Sequence, residues 1–299
     1  MERFLKIEAK ESDWTVEQML RKEVGLTKKQ IRHLKFVPNG MKKNGKKCRV
    51  NETVCCGDIL EIQLEEEQEV SAHLEDGQVD LDILYEDKDL LAVNKPAGVV
   101  THPQGGHYQD TLANQVVAYF RHKGEEHSIR PIGRLDKETS GIVVFAKNKI
   151  AAAKLQEQRE QGLFSKTYLA VVQGTLPVDK TWYQICKPMK QHPENRLKMI
   201  VAEDGKEAIT NYQVLGSNSE YSLVKLTLET GRTHQIRVHM ASMGHPLVGD
   251  LLYGTPQDKE SRALLHAWRV ELRQPFTREK IELQSEVPED MRMKKAFLA

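Results

Sequence analysis

The chain has 299 residues, 39% hydrophobic and 29% charged, with 44 Lys and Arg set against 43 Asp and Glu for a net charge of +1. That length accommodates two folded units, and no apolar run approaches the ~18 residues that a membrane-spanning helix requires. The opening MERFLKIEAKESDW has neither the apolar stretch nor the small-residue cleavage site of a secretion signal, and Cys48, Cys55, Cys56 and Cys186 lack CxxC spacing, so a cytoplasmic protein with reduced, structural cysteines is expected.

Resolved along the chain, the balanced charge separates. Arg21, Lys22, Lys28, Lys29, Arg32, Lys35, Lys42, Lys43, Lys46, Lys47 and Arg49 are opposed only by Glu23, and no Lys or Arg occurs between Val50 and Asp87. The spacing of Trp14, Val16, Met19 and Leu20 predicts a first helix, capped by Asp13 or Thr15 and closed by Gly25. Thr27 and Gln30 have capping-box spacing for a second helix, with Ile31 and Leu34 on its apolar face and Lys28, Lys29, Arg32 and Lys35 on its surface. Turn residues from Pro38 to Gly45 follow, then a short strand near 49–54 and an alternating strand at Ile59–Ile62. A basic surface of this kind attracts RNA phosphates through counterion release, largely regardless of sequence. Its cations are Lys28, Lys29, Arg32, Lys35, Lys42, Lys43, Lys46 and Lys47.

Residues 65–80, EEEQEVSAHLEDGQVD, read as an acidic, flexible linker. From residue 81 to 299 the pattern changes. Ile83–Tyr85 and Leu90–Val93 flank a polar turn and predict a hairpin. A helix is expected over 110–121, a buried strand over 141–146, a helix from Ile150 to Gln161 stopped by Gly162, and a strand over 168–173. Val224, Leu226 and Leu228 alternate with polar residues in a further strand, and Ile236, Met240 and Met243 have helix spacing. Strands outnumber helices and come in hairpins, which predicts an α+β fold with a largely antiparallel, mixed sheet.

Three long segments carry the chemistry. They are ILYEDKDLLAVNKPAGVVTHP at 83–103, GRLDKETSG at 133–141, and TGRTHQIRVHMASMGHPLVGDLLYG at 230–254, supported by LLHA at 264–267. In this order they closely resemble the RluA-type pseudouridine synthases over about residues 81–285. The first fifty-odd residues, two short helices and a small sheet ending in GDILEI over 13–64, resemble an S4-type RNA-binding module. The resemblance implies an enzyme that isomerises uridine in RNA without cofactor or metal. The glycosidic bond from C1′ to N1 is broken and remade to C5, so nothing is oxidised and no group is imported. The target base must leave its stack to be reached.

By the same resemblance Asp136 is the catalytic carboxylate, and its residue type suits covalent or base chemistry. A carboxylate that must stay ionised in a pocket calls for a neighbouring cation, and Arg237 is the expected partner. Tyr168 matches the active-site tyrosine, Arg134 the arginine that displaces the target base, and Leu265 an apolar contact with it. Lys95 either braces the catalytic loop or touches phosphate. Gly133 departs from the pattern, since many relatives have His there, which alters the fit of the flanking nucleotide but removes no catalytic group. His234, His239 and His245 cluster in sequence without acidic or cysteine partners at metal-binding spacing. Large-subunit ribosomal RNA of the 23S type is the expected substrate, with transfer RNA as the alternative, and a monomer is expected. A non-catalytic RNA-binding protein would not need Asp136, Tyr168 and Arg237 together. A zinc deaminase is disfavoured because its His-x-Glu and Pro-Cys-x-x-Cys signature is missing.

Overall fold

The computed structural model describes residues 4–63, 79–103, 106, 108–254 and 262–296. Of the expected acidic linker at 65–80, all but Val79 and Asp80 lies outside the described residues.

The N-terminal unit contains β1 (Phe4–Glu8), β2 (Trp14–Thr15), α1 (Val16–Lys22), α2 (Lys28–Leu34), β3 (Met41–Lys43), β4 (Lys46–Lys47), β5 (Thr53–Val54) and β6 (Ile59–Gln63). Both helices begin with a reciprocal capping box, Thr15 with Gln18 and Thr27 with Gln30. Each box satisfies two backbone donors that the first turn would otherwise orphan. Trp14, expected on α1, instead pairs with Val54 across β2 and β5. The sheet runs β1-β6-β3-β4. Its first strand precedes residue 13, where the sequence pattern places the start of the unit, and lies antiparallel to β6 from Phe4↔Gln63 to Glu8↔Ile59. Val16, Met19, Leu20, Ile31, Leu34, Leu60 and Ile62 fill its core, and Ile150 from the second unit packs into the same cluster.

The second unit contains β7 (Asp82–Glu86), β8 (Leu90–Lys95), α3 (Leu112–His122), β9 (Arg130–Pro131), β10 (Ser140–Ala146), α4 (Lys149–Glu160), β11 (Ser165–Gln173), β12 (Trp182–Cys186), β13 (Met189–Gln191), β14 (Met199–Val201), β15 (Ile209–Ser217), β16 (Tyr221–Leu228), α5 (Gln235–Ser242), β17 (Leu265–Arg273), β18 (Lys280–Gln284) and α6 (Glu289–Ala296). Ten of these strands form one sheet in the order β12-β15-β16-β11-β17-β10-β8-β7, with β18 on β17 and β9 on β10. All its pairings are antiparallel except β10 with β17. The fold is therefore α+β with a mixed, largely antiparallel sheet.

Strand β10 shows why the sheet holds together. All seven of its residues are buried. Val143 and Phe145 face the core cluster that contains Val116 and Phe120 of α3, while Ile142, Val144 and Ala146 face the one that contains Ala151 and Leu155 of α4. A strand covered on both faces reads as a continuous apolar run rather than an alternating one. At its start the chain passes so close to β17 that a Cβ on Gly141 would lie 2.3 Å from the carbonyl oxygen of Ala267. Gly141 also has φ +109°. Only glycine satisfies both conditions, and through it the parallel pair brings the loop before β10 beside the start of β17.

Candidate active site

The segment from Gly133 to Thr139 links β9 to β10 and is fastened from beneath. Leu135 is buried in the main core. Its N–H donates to Thr101 Oγ1 at 3.3 Å, and its carbonyl accepts from the same hydroxyl at 2.8 Å. The Lys137 carbonyl accepts from Gly98 N at 2.8 Å and from Lys95 Nζ at 3.2 Å. A final turn closes with Thr139 N donating to Asp136 O at 3.1 Å. Asp136 thus stands between two anchored neighbours, with its side chain 31% exposed.

Arg237 on α5 does approach Asp136, with Nη1 3.9 Å from Oδ2. That is a long ion pair with the expected carboxylate, but not the tightest contact Arg237 makes. Its Nε and Nη2 donate to Asp250 Oδ2 and Oδ1, both at 2.7 Å. The Asp250 side chain is fully buried and also accepts from the backbone N–H of Leu252 and Tyr253. Two parallel charge-assisted bonds in a buried setting outcompete one distant, half-exposed carboxylate. Burial alone would raise the Asp250 carboxyl, but Arg237 holds it below its ordinary value. His234 is the second neighbour of Asp136, with Nε2 3.9 Å from Oδ2.

A cavity of about 470 Å³ opens over this loop, lined among others by Arg134, Asp136, Arg159, Lys166, Tyr168 and Leu265. Tyr168 lies on β11 at a register shift against β17, paired with Ala267. Burial, helped by the charge of Asp136, pushes its phenol well above the ordinary value. Lys166, two residues earlier on the same strand, donates to the Ile142 carbonyl at 3.2 Å. Burial, with the charge of Arg159 acting in the same sense, pulls its ammonium down to about 7. Leu265 begins β17 and is buried, reaching both the core and the cavity wall. Arg134 is exposed at the rim.

Asp136, Tyr168, Arg237, Arg134 and Leu265 therefore converge on one cavity. Lys95 does not. Its side chain is fully buried and its ammonium donates to the carbonyls of Pro96, Val99 and Lys137 at 2.9, 2.7 and 3.2 Å. Of the two roles weighed for it, bracing the loop is the one its surroundings allow, because a fully enclosed ammonium cannot meet a phosphate. The N-terminal cations lie apart, none of them among the cavity-lining residues. Lys28, Lys29, Arg32, Lys35, Lys46 and Lys47 are exposed, whereas Lys42 and Lys43 are half-buried. Lys43 donates to the Thr53 carbonyl at 2.9 Å and Lys42 lies over the ring of Phe4. The three histidines diverge: His239 contacts Thr210 and the Lys187 carbonyl, His245 the Gln173 carbonyl, and His234 the Tyr253 hydroxyl.

Sequence reasoning missed Asp250, Tyr253, Lys166, and His234 as a neighbour of Asp136. A buried arginine demands a carboxylate, and Asp250 is the one acidic residue in the 230–254 segment. That demand is a usable signal.

The chain matches the model of a family described as RNA pseudouridylate synthase over residues 89–242. It is 42% identical to YhcT, an RNA pseudouridine synthase of Bacillus subtilis, over 79% of this chain and 78% of that protein. Against ribosomal large subunit pseudouridine synthase D of Escherichia coli K12 the identity is 35%, over 83% and 79%. Among solved structures, human RNA pseudouridylate synthase domain containing 1 superposes with a TM-score of 0.57 and 29% identity, covering 69% of this chain and 83% of that one.

Proposed function

The chain belongs to the RNA pseudouridylate synthase family, and on that premise we propose that it converts uridines of large-subunit ribosomal RNA to pseudouridine, with Asp136 as the reacting carboxylate. The observation that carries this reading is the cavity itself. An incompletely paired carboxylate on an anchored loop faces a space walled by the Tyr168 phenol and the Leu265 side chain. A flipped uracil presents a flat apolar face and polar edges, and such a wall suits both. Asp136 would act on the sugar or base of that nucleotide. Tyr168, kept protonated by burial, would stack on the ring; the C5 proton lost when the new bond forms is balanced by the proton gained at N1. Arg134 at the rim would fill the space the base leaves. Arg237, clamped by Asp250, would supply a fixed positive field beneath the carboxylate. No cofactor is needed for an isomerisation in which the uracil itself is the leaving group and the acceptor.

The substrate class is supported by the similarity to large-subunit pseudouridine synthase D of Escherichia coli. The N-terminal unit, as an S4-type module, would add affinity through its exposed cations on α2 and β4. The test is a map of pseudouridines in total RNA from a strain lacking the gene, complemented with the natural chain or Asp136→Asn. Loss of one or more sites in large-subunit ribosomal RNA, restored only by the natural chain, is expected. Losses confined to transfer RNA would overturn the substrate, and restoration by Asp136→Asn would overturn the role of the carboxylate.

A further inference from the structure

His234 occupies an unusual position for its residue type. It is the N-cap of α5, yet its side chain makes no capping bond, and its backbone is left-handed at φ 56°, ψ 20°. Serine, threonine, aspartate or asparagine normally holds such a cap, and a left-handed backbone is strained for a residue that carries a Cβ. Strain of this kind persists where surrounding contacts over-determine it, often at functional sites. Here the imidazole turns away from the helix and into the cavity.

The ring is held from its far side. His234 Nδ1 lies 2.9 Å from the Tyr253 hydroxyl, and the same hydroxyl accepts from the backbone N–H of Met199 at 2.8 Å. With the Met199 N–H occupying one lone pair of the oxygen, the phenolic hydrogen is available to Nδ1. When the hydroxyl donates to Nδ1, the imidazole proton sits on Nε2, the nitrogen that faces Asp136. Burial favours the uncharged ring, against the pull of Asp136. The other charged groups facing it are Arg134 from the loop, Arg237 from α5 and Asp250 beyond the helix.

Both approaches to Asp136 converge on one oxygen. Arg237 Nη1 and His234 Nε2 each lie 3.9 Å from Oδ2. We infer that His234 is a positioning residue for Asp136, its Nε2–H steering Oδ2 toward Arg237 so that Oδ1 is the oxygen presented to the uridine. The inference rests on the reading of Asp136 as the reacting carboxylate, and adds which oxygen reacts and what orients it. A closure of about 1 Å brings both donors into hydrogen-bond range, and such contacts commonly tighten when substrate binds.

The experiment uses the full chain and transcribed large-subunit ribosomal RNA, measuring single-turnover pseudouridine formation, RNA affinity and thermal unfolding. His234→Ala should slow the chemical step by at least about tenfold while affinity stays within about threefold. His234→Gln, whose amide N–H reaches a similar point, should recover most of the rate. Tyr253→Phe leaves the imidazole in place but removes the hydroxyl that fixes its tautomer, and should also lower the rate without lowering affinity. Wild-type rates in His234→Ala and Tyr253→Phe, with Asp136→Asn inactive, would overturn the positioning role alone. Activity in Asp136→Asn would instead overturn the reading of the site. Equal losses in His234→Ala and His234→Gln would also overturn the inference, since they would reduce His234 to a structural cap.

Discussion

Arg237 and Asp250 form a bidentate pair with both bonds at 2.7 Å, buried beneath the Asp136 loop. The pair gives Arg237 a fixed orientation independent of Asp136, so its field at the carboxylate is present before RNA arrives. Losing Asp250 leaves a buried, unpaired guanidinium. Asp250→Ala should therefore destabilise the protein by about 3–5 kcal/mol. Arg237→Ala should cost a similar amount, and the double substitution markedly less than the sum. Arg237→Ala with Asp136→Asn should depart from additivity less than that, because the two side chains lie 3.9 Å apart rather than in a bidentate bond. Urea unfolding of the single and double variants checks both cycles, and additivity between Arg237 and Asp250 would contradict the geometry.

Asp136→Asn should abolish pseudouridine formation while changing stability by no more than about 1 kcal/mol, since its two ion-pair approaches are long and its side chain is partly exposed. Asparagine keeps the shape but cannot act as nucleophile or base. Parallel measurement of turnover, RNA affinity and unfolding separates the two effects.

His266 provides a pH-dependent test of the fold. The ring is buried, with Nδ1 2.9 Å from Ser140 Oγ and Nε2 2.8 Å from Ser285 Oγ. Burial and the nearby Arg262 lower it to about 4. The unfolded chain takes up a proton near pH ~6.5, while the folded chain resists until about 4. Stability should therefore fall as pH drops through that window, by roughly 3 kcal/mol in total. In His266→Gln this component of the slope should vanish. Unfolding free energies of both proteins across the window check it, and parallel curves would refute the assignment.

The exposed cations of the N-terminal unit predict a salt effect. Changing Lys28, Lys29, Arg32 and Lys46 to Glu should leave both cores intact, since all four side chains are exposed. RNA affinity should drop, and the slope of log K against log salt should flatten by about 0.9 for each duplex phosphate that the protein no longer neutralises. Substituting Lys43 should disturb the fold instead, because its ammonium holds the Thr53 carbonyl. Binding across a salt series distinguishes the two, and an unchanged slope would remove the RNA role from this surface.

Legibility in the sequence follows the range of the interactions. The boxes at Thr15 and Thr27 are three-residue patterns, and all their information is local. Helix α4 ends before Gly162 as expected, because a left-handed glycine is a local stop. Strands β12 to β15 escape such a reading. β12 is mostly exposed, and its residues are defined by pairing with β15 rather than by their own periodicity. The parallel pairing of Gly141 with Ala267 spans more than a hundred positions and leaves only a glycine as its trace. At the site, residue types and motif order point to Asp136, Tyr168 and Arg237. They give Arg237 one of its two carboxylate partners and miss the tighter one, Asp250, because motif proximity says nothing about which carboxylate is buried more deeply.

The fastening of Leu135 and Lys137 has a mechanical corollary. A loop tied to Thr101, Gly98 and Lys95 on one side, and to a strand that admits no Cβ at Gly141 on the other, has little compliance. In the proposed reaction the loop backbone then contributes a rigid template, with only side chains closing on Asp136, and the larger deformation needed to bring a uridine there is borne by the nucleic acid. Reaction speed across a set of RNAs would accordingly rank by how easily each target uridine unstacks. Mismatched or single-stranded targets should run ahead of the same sequence locked in a duplex, by a margin that narrows as temperature loosens the helix.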